Sequence, residues 1–415
     1  MTTLDTTLTT VQDAYAARRP LSRAAFTRAQ LSLPGGETRS ITHYSPFPAA
    51  IARGHAAVLT DADGHEYIDL VNNYTSLVHG NAHPAIVEAI KSTADAGTAF
   101  AAVHPAQLDL AEAIIGRLAS VQKVRFTNSG SEASSLAARI ARRATGRRVL
   151  VMAAEGYHGG IPPFADADEP DVVRIPYGDA DALRAAVSTE VAAVFLEPFL
   201  GAGGVVPAPE GYLAAAQEAA HAAGALLVLD EVQSLRNDPR GAQGTLGLAP
   251  DLTLMAKIIG GGLAIGAVGG RADLMDITAA TRTGHLHHSG TFNGHAAAAA
   301  AGVASLRLLD ADAIRSLNAA ASALADAVTR ASLGTAYVTR AGSIMNVHPV
   351  VDGLVITDPG AHPAWRTALH LSLMDHGIYT TPRGMINLST AVTDAQLTRA
   401  AEAYGEALAI VGSAA

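Results

Sequence analysis

Ala225-Leu-Leu-Val-Leu-Asp230-Glu231 is an apolar run closed by two carboxylates, and it has two counterparts upstream, at 149–154 and 191–196. Short runs that are apolar at successive positions fit strands buried on both faces of a sheet. Between the second and third runs lies an alanine-rich helical stretch, 210–223, with Gly224 as its stop signal, and 180–187 plays the same part earlier. Strand, helix, strand in repetition predicts an α/β domain with a mostly parallel sheet. Ligands of such sheets bind at the carboxyl ends of the strands. The residues that follow each run are therefore predicted to line one crevice: Glu155-Gly-Tyr157-His158, Glu197-Pro198 and Asp230-Glu231.

Outward from this centre, residues 1–35 read as a helical arm that stops at Pro34-Gly35-Gly36. The segments Ala56-Ala-Val-Leu59 and Tyr67-Ile-Asp-Leu70, parted by Asp61-Ala-Asp-Gly64, read as a hairpin. After about residue 300 come helical stretches at 301–309, 313–331 and 361–376, a strand at 343–348 and a last helix from Asp394. The expected organisation is an N-terminal arm and a segment of a small domain at 1–75, a large cofactor-binding domain at 76–305, and a smaller α+β domain completed by 306–415.

Composition excludes several functions. The net charge is −9 and no long basic run occurs, so neither a nucleic-acid footprint nor a membrane-attracting patch is present. There is no cysteine, which removes disulfides and thiolate chemistry. With no leader pattern at Met-Thr-Thr-Leu-Asp and no spanning apolar run, a cytoplasmic protein is expected. Only three of the 29 basic residues are lysines, Lys91, Lys123 and Lys257. A lysine in apolar surroundings is thus conspicuous.

Three constellations carry chemistry. Thr127-Asn-Ser129-Gly130-Ser131-Glu132 precedes a helix, where free N–H groups, the positive dipole end and two hydroxyls suit a phosphate, although Ser and Asn are also ordinary N-caps. Asp230, at a buried strand's end, suits a helix cap, a magnesium ligand or the partner of a protonated ring nitrogen. Lys257, in Leu252-Thr-Leu-Met-Ala-Lys-Ile-Ile-Gly-Gly-Gly262, sits in an apolar run that ends in three glycines. Such a lysine loses its proton below its usual range and becomes a nucleophile able to form a Schiff base. Together the three meet the needs of pyridoxal phosphate: an anchor, a charge that keeps the pyridine nitrogen protonated, and an amine for the aldehyde. Tyr157-His158, flanked by glycines, adds an aromatic pair able to cover the ring face, or ordinary loop packing. His285, His287 and His288 match no metal-ligand spacing, and no metal is expected.

From Gly35 to about Val392 the chain resembles the class III, fold-type I aminotransferases, in the branch of glutamate-1-semialdehyde aminomutase and the β-phenylalanine aminotransferases. The matching segments are Phe126-Thr-Asn-Ser-Gly-Ser-Glu-Ala, Glu155-Gly-Tyr-His-Gly-Gly, Leu229-Asp-Glu-Val, Lys257-Ile-Ile-Gly-Gly-Gly and His288-Ser-Gly-Thr-Phe-Asn. The resemblance implies that Lys257 carries pyridoxal phosphate and Asp230 pairs with its ring nitrogen. Ser129, Gly130 and Ser131 would hold the phosphate, with Tyr157 and Val232 on the two ring faces and His158 and Glu197 beside them. Thr291 would reach the phosphate of the neighbouring subunit, which implies a homodimer with shared sites. Arg39 matches the family's carboxylate-binding arginine, and Arg383 resembles a second one of the β-phenylalanine aminotransferases. The implied partners are an amino donor, here a β-amino acid, and 2-oxoglutarate or pyruvate as acceptor. An aminomutase, or a specialised aminotransferase acting on another amine, is the alternative; a non-catalytic phosphate-ligand binding protein of the same fold is disfavoured by the intact Lys257 and Asp230.

Overall fold

A computed structural model of the chain describes residues 3–412. It divides into two compact units, one made of Thr75–Val78 and Pro84–Arg315, the other of the chain before Thr75, His79–His83 and the chain from Ser316 onward.

The first unit is built on a seven-stranded sheet. Its spatial order is Lys123–Thr127, Gly266–Gly270, Leu252–Ala256, Leu226–Asp230, Val191–Leu196, Val149–Ala153, Val172–Ile175. Gly266–Gly270 runs antiparallel to both neighbours and the other strands run in one direction. Leu150, Met152, Phe195, Val228 and Leu254 face the helix Gly130–Thr145 through its Ala133, Leu136, Ala137 and Ile140. Val151, Ala153, Val194 and Leu196 face the other way, onto Leu183, Leu213 and Ala216 of the helices Ala180–Ala186 and Tyr212–Ala222. Side chains alternate along a strand, so covering both faces demands an unbroken apolar run. Each fully buried Leu or Val contributes about 1.5–3 kcal/mol. The same alternation puts Asp230 on the face of Leu226 and Val228.

The glycine-rich strand was not expected, because Gly266-Ala-Val-Gly-Gly270 has little strand propensity. Glycine serves there by what it omits. A β-carbon on Gly266 would collide with the carbonyl of Ser129, so the bare strand lets the Ser129-Gly130-Ser131 turn seat against the sheet. Likewise a β-carbon on Gly302 would collide with the carbonyl of Ile259. The alanine-rich helix Ala296–Leu308 thereby packs directly behind the turn Lys257–Gly260.

In the second unit the hairpin forms as read, Val58–Asp61 against Glu66–Asp69, and is flanked by Ile51–His55 and by a parallel strand, Ile378–Tyr379. A second sheet contains Ala336–Ala341, Ile344–Val351, Leu354–Val355 and Met385–Asn387. The N-terminal arm is two helices, Thr3–Arg18 and Pro20–Ala29, because Pro20 cannot continue the first but suits the first turn of the second. Arg19, at the break, is buried. Its guanidinium lies 4.2 Å from the Tyr15 ring centroid and donates to Tyr67 Oη at 3.0 Å and to Asp375 Oδ1 at 2.9 Å, fixing the arm to its own unit. Among the described residues no helix is long and apolar enough to cross a membrane.

Candidate active site

The residues named above for the cofactor all lie in the sheet unit. Ser129 is the N-cap of the helix Gly130–Thr145, and its Oγ accepts from Glu132 N at 3.1 Å. Capping and anion binding are compatible here, since Gly130 and Ser131 open the helix and their N–H groups have no intrahelical acceptor. Two loops close around this turn. Gly160 N donates to Ser131 Oγ at 3.2 Å, and Asn128 Nδ2 donates to Asn293 Oδ1 at 2.8 Å, which brings in the loop that bears Thr291. Thr291 itself is exposed, beside a Phe292 that is 57% exposed.

Asp230 is buried at the end of its strand. Its Oδ1 accepts from Val232 N at 3.0 Å and its Oδ2 shares a hydrogen at 2.8 Å with Nδ1 of His158. The structure separates the expected aromatic pair: Tyr157 is 56% exposed, whereas His158 is buried against Asp230, Phe164 and Phe195. His158 therefore does not cover a ring face with its neighbour; it braces the carboxylate. Burial works against charge on His158, but the bond and charge of Asp230, with Glu197, outweigh it and hold the imidazole pKa above its ordinary value.

Glu197 spans the same crevice, accepting from Tyr157 N and Gly201 N, each at 3.0 Å. Burial pushes its carboxyl up to about 7, against the pull of His158. Val232 lies against Gly130, where a β-carbon would meet its methyl at 3.4 Å. Lys257 follows the strand Leu252–Ala256 at φ +54°, a left-handed conformation that lysine seldom takes. Burial lowers its amine to about 8, although Asp230 and Glu197 pull the other way. Among the described residues its Nζ has no hydrogen-bond partner.

These residues fit pyridoxal phosphate. An anion cradle, a buried carboxylate braced by an imidazole and an unpartnered amine of lowered basicity converge on one end of the sheet, and Asp230 retains lone pairs for a ring N–H. Among the described residues no cluster of three or more His, Asp or Glu side chains could hold a metal ion.

Arg39 and Arg383 belong to the other unit. Arg39 is exposed and donates through Nη1 to Asn73 Oδ1 at 3.1 Å, with its guanidinium 5.6 Å from the Tyr74 ring centroid. Burial raises the Tyr74 phenol, while the charges of Arg39 and Arg383 draw it down. Tyr74 sits in a turn, Asn72–Thr75, whose φ values are 47°, 47°, 54° and 74°. Left-handed backbone costs roughly 1–2 kcal/mol per residue, less for Asn, and clusters at functional sites.

Residues 40–163 and 161–403 match the family model of the class-III aminotransferases. The chain belongs to that family. This class-III aminotransferase is 38% identical to the β-phenylalanine transaminase of Variovorax paradoxus over 416 residues, 97% of this chain and 96% of that one. It is 37% identical to glutamate-1-semialdehyde 2,1-aminomutase 2 of Geobacillus kaustophilus over 337 residues, 75% of this chain and 78% of that one. The crystal structure of a β-phenylalanine aminotransferase from Variovorax paradoxus superposes with a TM-score of 0.92 at 36% identity, covering 97% of each chain.

Some contacts around the candidate residues have no counterpart among the sequence motifs. Arg366 is buried and donates to the carbonyls of Arg383 at 3.2 Å, Val347 at 3.3 Å and Asp358 at 3.0 Å, stitching the loop of Arg383 to its surroundings. Its signal was a lone arginine in Trp365-Arg-Thr-Ala-Leu369, a stretch otherwise suited to the core. Asn128 and Asn293 each lie in a quoted motif, but their pairing across 165 residues had no signal in the sequence.

Proposed function

We propose that this protein transfers the amino group of a β-amino acid, such as β-phenylalanine, to 2-oxoglutarate or pyruvate, with pyridoxal phosphate on Lys257. The observation that carries the chemistry is Lys257 itself, a buried amine held at left-handed φ with its pKa near 8 beside Asp230 and Glu197. The donor class is supported by the two arginines Arg39 and Arg383 and by the similarity to a β-phenylalanine transaminase along nearly the whole chain.

Ser129, Gly130 and Ser131 would hold the phosphate, Tyr157 and Val232 the ring faces, and Asp230 the ring nitrogen, with His158 bracing Asp230 and Glu197 fixing the Tyr157 loop. Bound there, the pyridoxal ring supplies an electron sink for the pair left when the amine-bearing carbon loses its proton. Asp230, held in place by His158 Nδ1 and Val232 N–H, would sit opposite the ring nitrogen and favour a positive charge there. Once the donor amine has displaced it from the cofactor, Lys257 Nζ would take the proton from the amine-bearing carbon and return it one position away, the work of a general base and then a general acid. Arg39 and Arg383 receive carboxylates of donor and acceptor in forked hydrogen bonds. Thr291, with the exposed Phe292 beside it, serves the site of a second copy in a homodimer.

Because only the neutral amine is a nucleophile, uptake of pyridoxal phosphate by cofactor-free protein should quicken about fivefold from pH 7 to 8 and level off above that. An ordinary lysine would give a rise that continues beyond pH 9. Glu197→Gln removes a charge that stabilises the ammonium, so the plateau should begin at lower pH.

Acceptor dependence tests the reaction class. With β-phenylalanine, product should form only in step with added 2-oxoglutarate or pyruvate. Turnover of an amino aldehyde such as glutamate 1-semialdehyde without any added keto acid would instead mark an aminomutase.

A further inference from the structure

We propose that Asn73 and Tyr74 are positioning residues for Arg39, and that the left-handed turn which carries them exists to hold this guanidinium ready for a substrate carboxylate. The inference rests on the reading of Arg39 given above and adds what fixes it. An exposed arginine samples many rotamers, so a receptor arginine must be ordered before it binds or lose affinity in the ordering.

Asn73 orders Arg39 without neutralising it. Its amide Oδ1 engages Nη1 at 3.1 Å, while Nε and Nη2 have no acceptor among the described residues, leaving a fork for an incoming carboxylate. Arg39 enters no ion pair among the described residues. Tyr74 closes the arrangement: its ring lies under the guanidinium, and its hydroxyl donates to the Ile41 carbonyl at 2.9 Å, two residues from Arg39.

The turn is held from behind. Asp69 Oδ1 accepts from Val71 N at 2.9 Å and Asn72 N at 2.8 Å, and Asn72 Nδ2 donates to the Asn387 carbonyl at 2.9 Å. Asn387 Nδ2 in turn donates to the Val71 carbonyl at 2.7 Å. So many bonds around a strained backbone indicate that the conformation is imposed for what it presents.

Asn73→Gly separates positioning from folding, because glycine adopts left-handed φ freely while deleting the amide. In the holoenzyme, calorimetric titration with 3-phenylpropanoate, a carboxylate without the amine, should give a Kd raised about five- to tenfold. The melting temperature should stay level or rise. KM for β-phenylalanine should rise by the same factor with kcat nearly unchanged. Asn73→Asp, which would pair with Arg39, should weaken binding further. An Asn73→Gly enzyme with the wild-type Kd and KM, or one whose loss of affinity follows a fall in melting temperature, overturns the proposal. Arg39→Ala separates the two claims. A large loss in Arg39→Ala with none in Asn73→Gly defeats only the positioning role, whereas no loss in Arg39→Ala, or no binding of 3-phenylpropanoate by wild type, removes Arg39 as receptor and the positioning role with it.

Discussion

Lys257→Ala is expected to fold and to lose turnover by about 10⁴-fold or more, since one substitution removes both the amine that carries the cofactor and the group that moves the proton. Steady-state assay with β-phenylalanine and 2-oxoglutarate checks this, and methylamine should restore a small part of the rate by supplying a diffusible base. The stability change should have the opposite sign. With the amine at about 8 in the folded protein against 10.5 for the free side chain, folding disfavours the proton. The penalty is fully present below about pH 8 and fades as pH rises toward 10.5. Cofactor-free Lys257→Ala should therefore melt no lower than wild type at pH 7, with any advantage shrinking above pH 8. Activity within tenfold of wild type would remove Lys257 from the mechanism.

Asp230→Asn should lower kcat by about 10²- to 10³-fold, because the amide keeps the shape of the carboxylate but cannot hold a positive charge opposite it. Three further signs distinguish this from a packing defect. His158 loses the partner that keeps its pKa up, so its titration, followed by NMR, should move down. The Lys257 amine loses a charge that supports protonation and should also titrate lower. Asp230→Glu should recover part of the rate, since it restores charge at an altered distance. A variant that retains full kcat would show that ring protonation does not depend on Asp230.

Much of this architecture was legible because burial leaves a periodic trace. Apolar runs such as Val191–Leu196 require a sheet covered on both faces, and the carboxylates that end them mark the crevice. Lys257 was conspicuous by contrast, in a chain with three lysines. What stayed hidden depends on contacts between distant residues. Gly266–Gly270 gave no strand signal, because its reason for glycine, the Ser129 carbonyl, lies 137 positions away in sequence. Tyr157 and His158 read as one aromatic pair, and only the fold places His158 in the core and Tyr157 outside. Asn72 and Asn73 tolerate left-handed backbone, but nothing in the propensities of Tyr and Thr signals that Tyr74 and Thr75 continue it. That turn follows from Asp69 and Asn387, which meet it through the fold.

The most direct test of the central claim is the visible absorption spectrum of the cofactor-loaded protein during addition of β-phenylalanine with no acceptor present. The expected result is conversion of the cofactor's visible band to that of its aminated, pyridoxamine form, in proportion to the donor consumed and reversed by 2-oxoglutarate. A spectrum unchanged by β-phenylalanine would contradict the assignment of a β-amino acid donor.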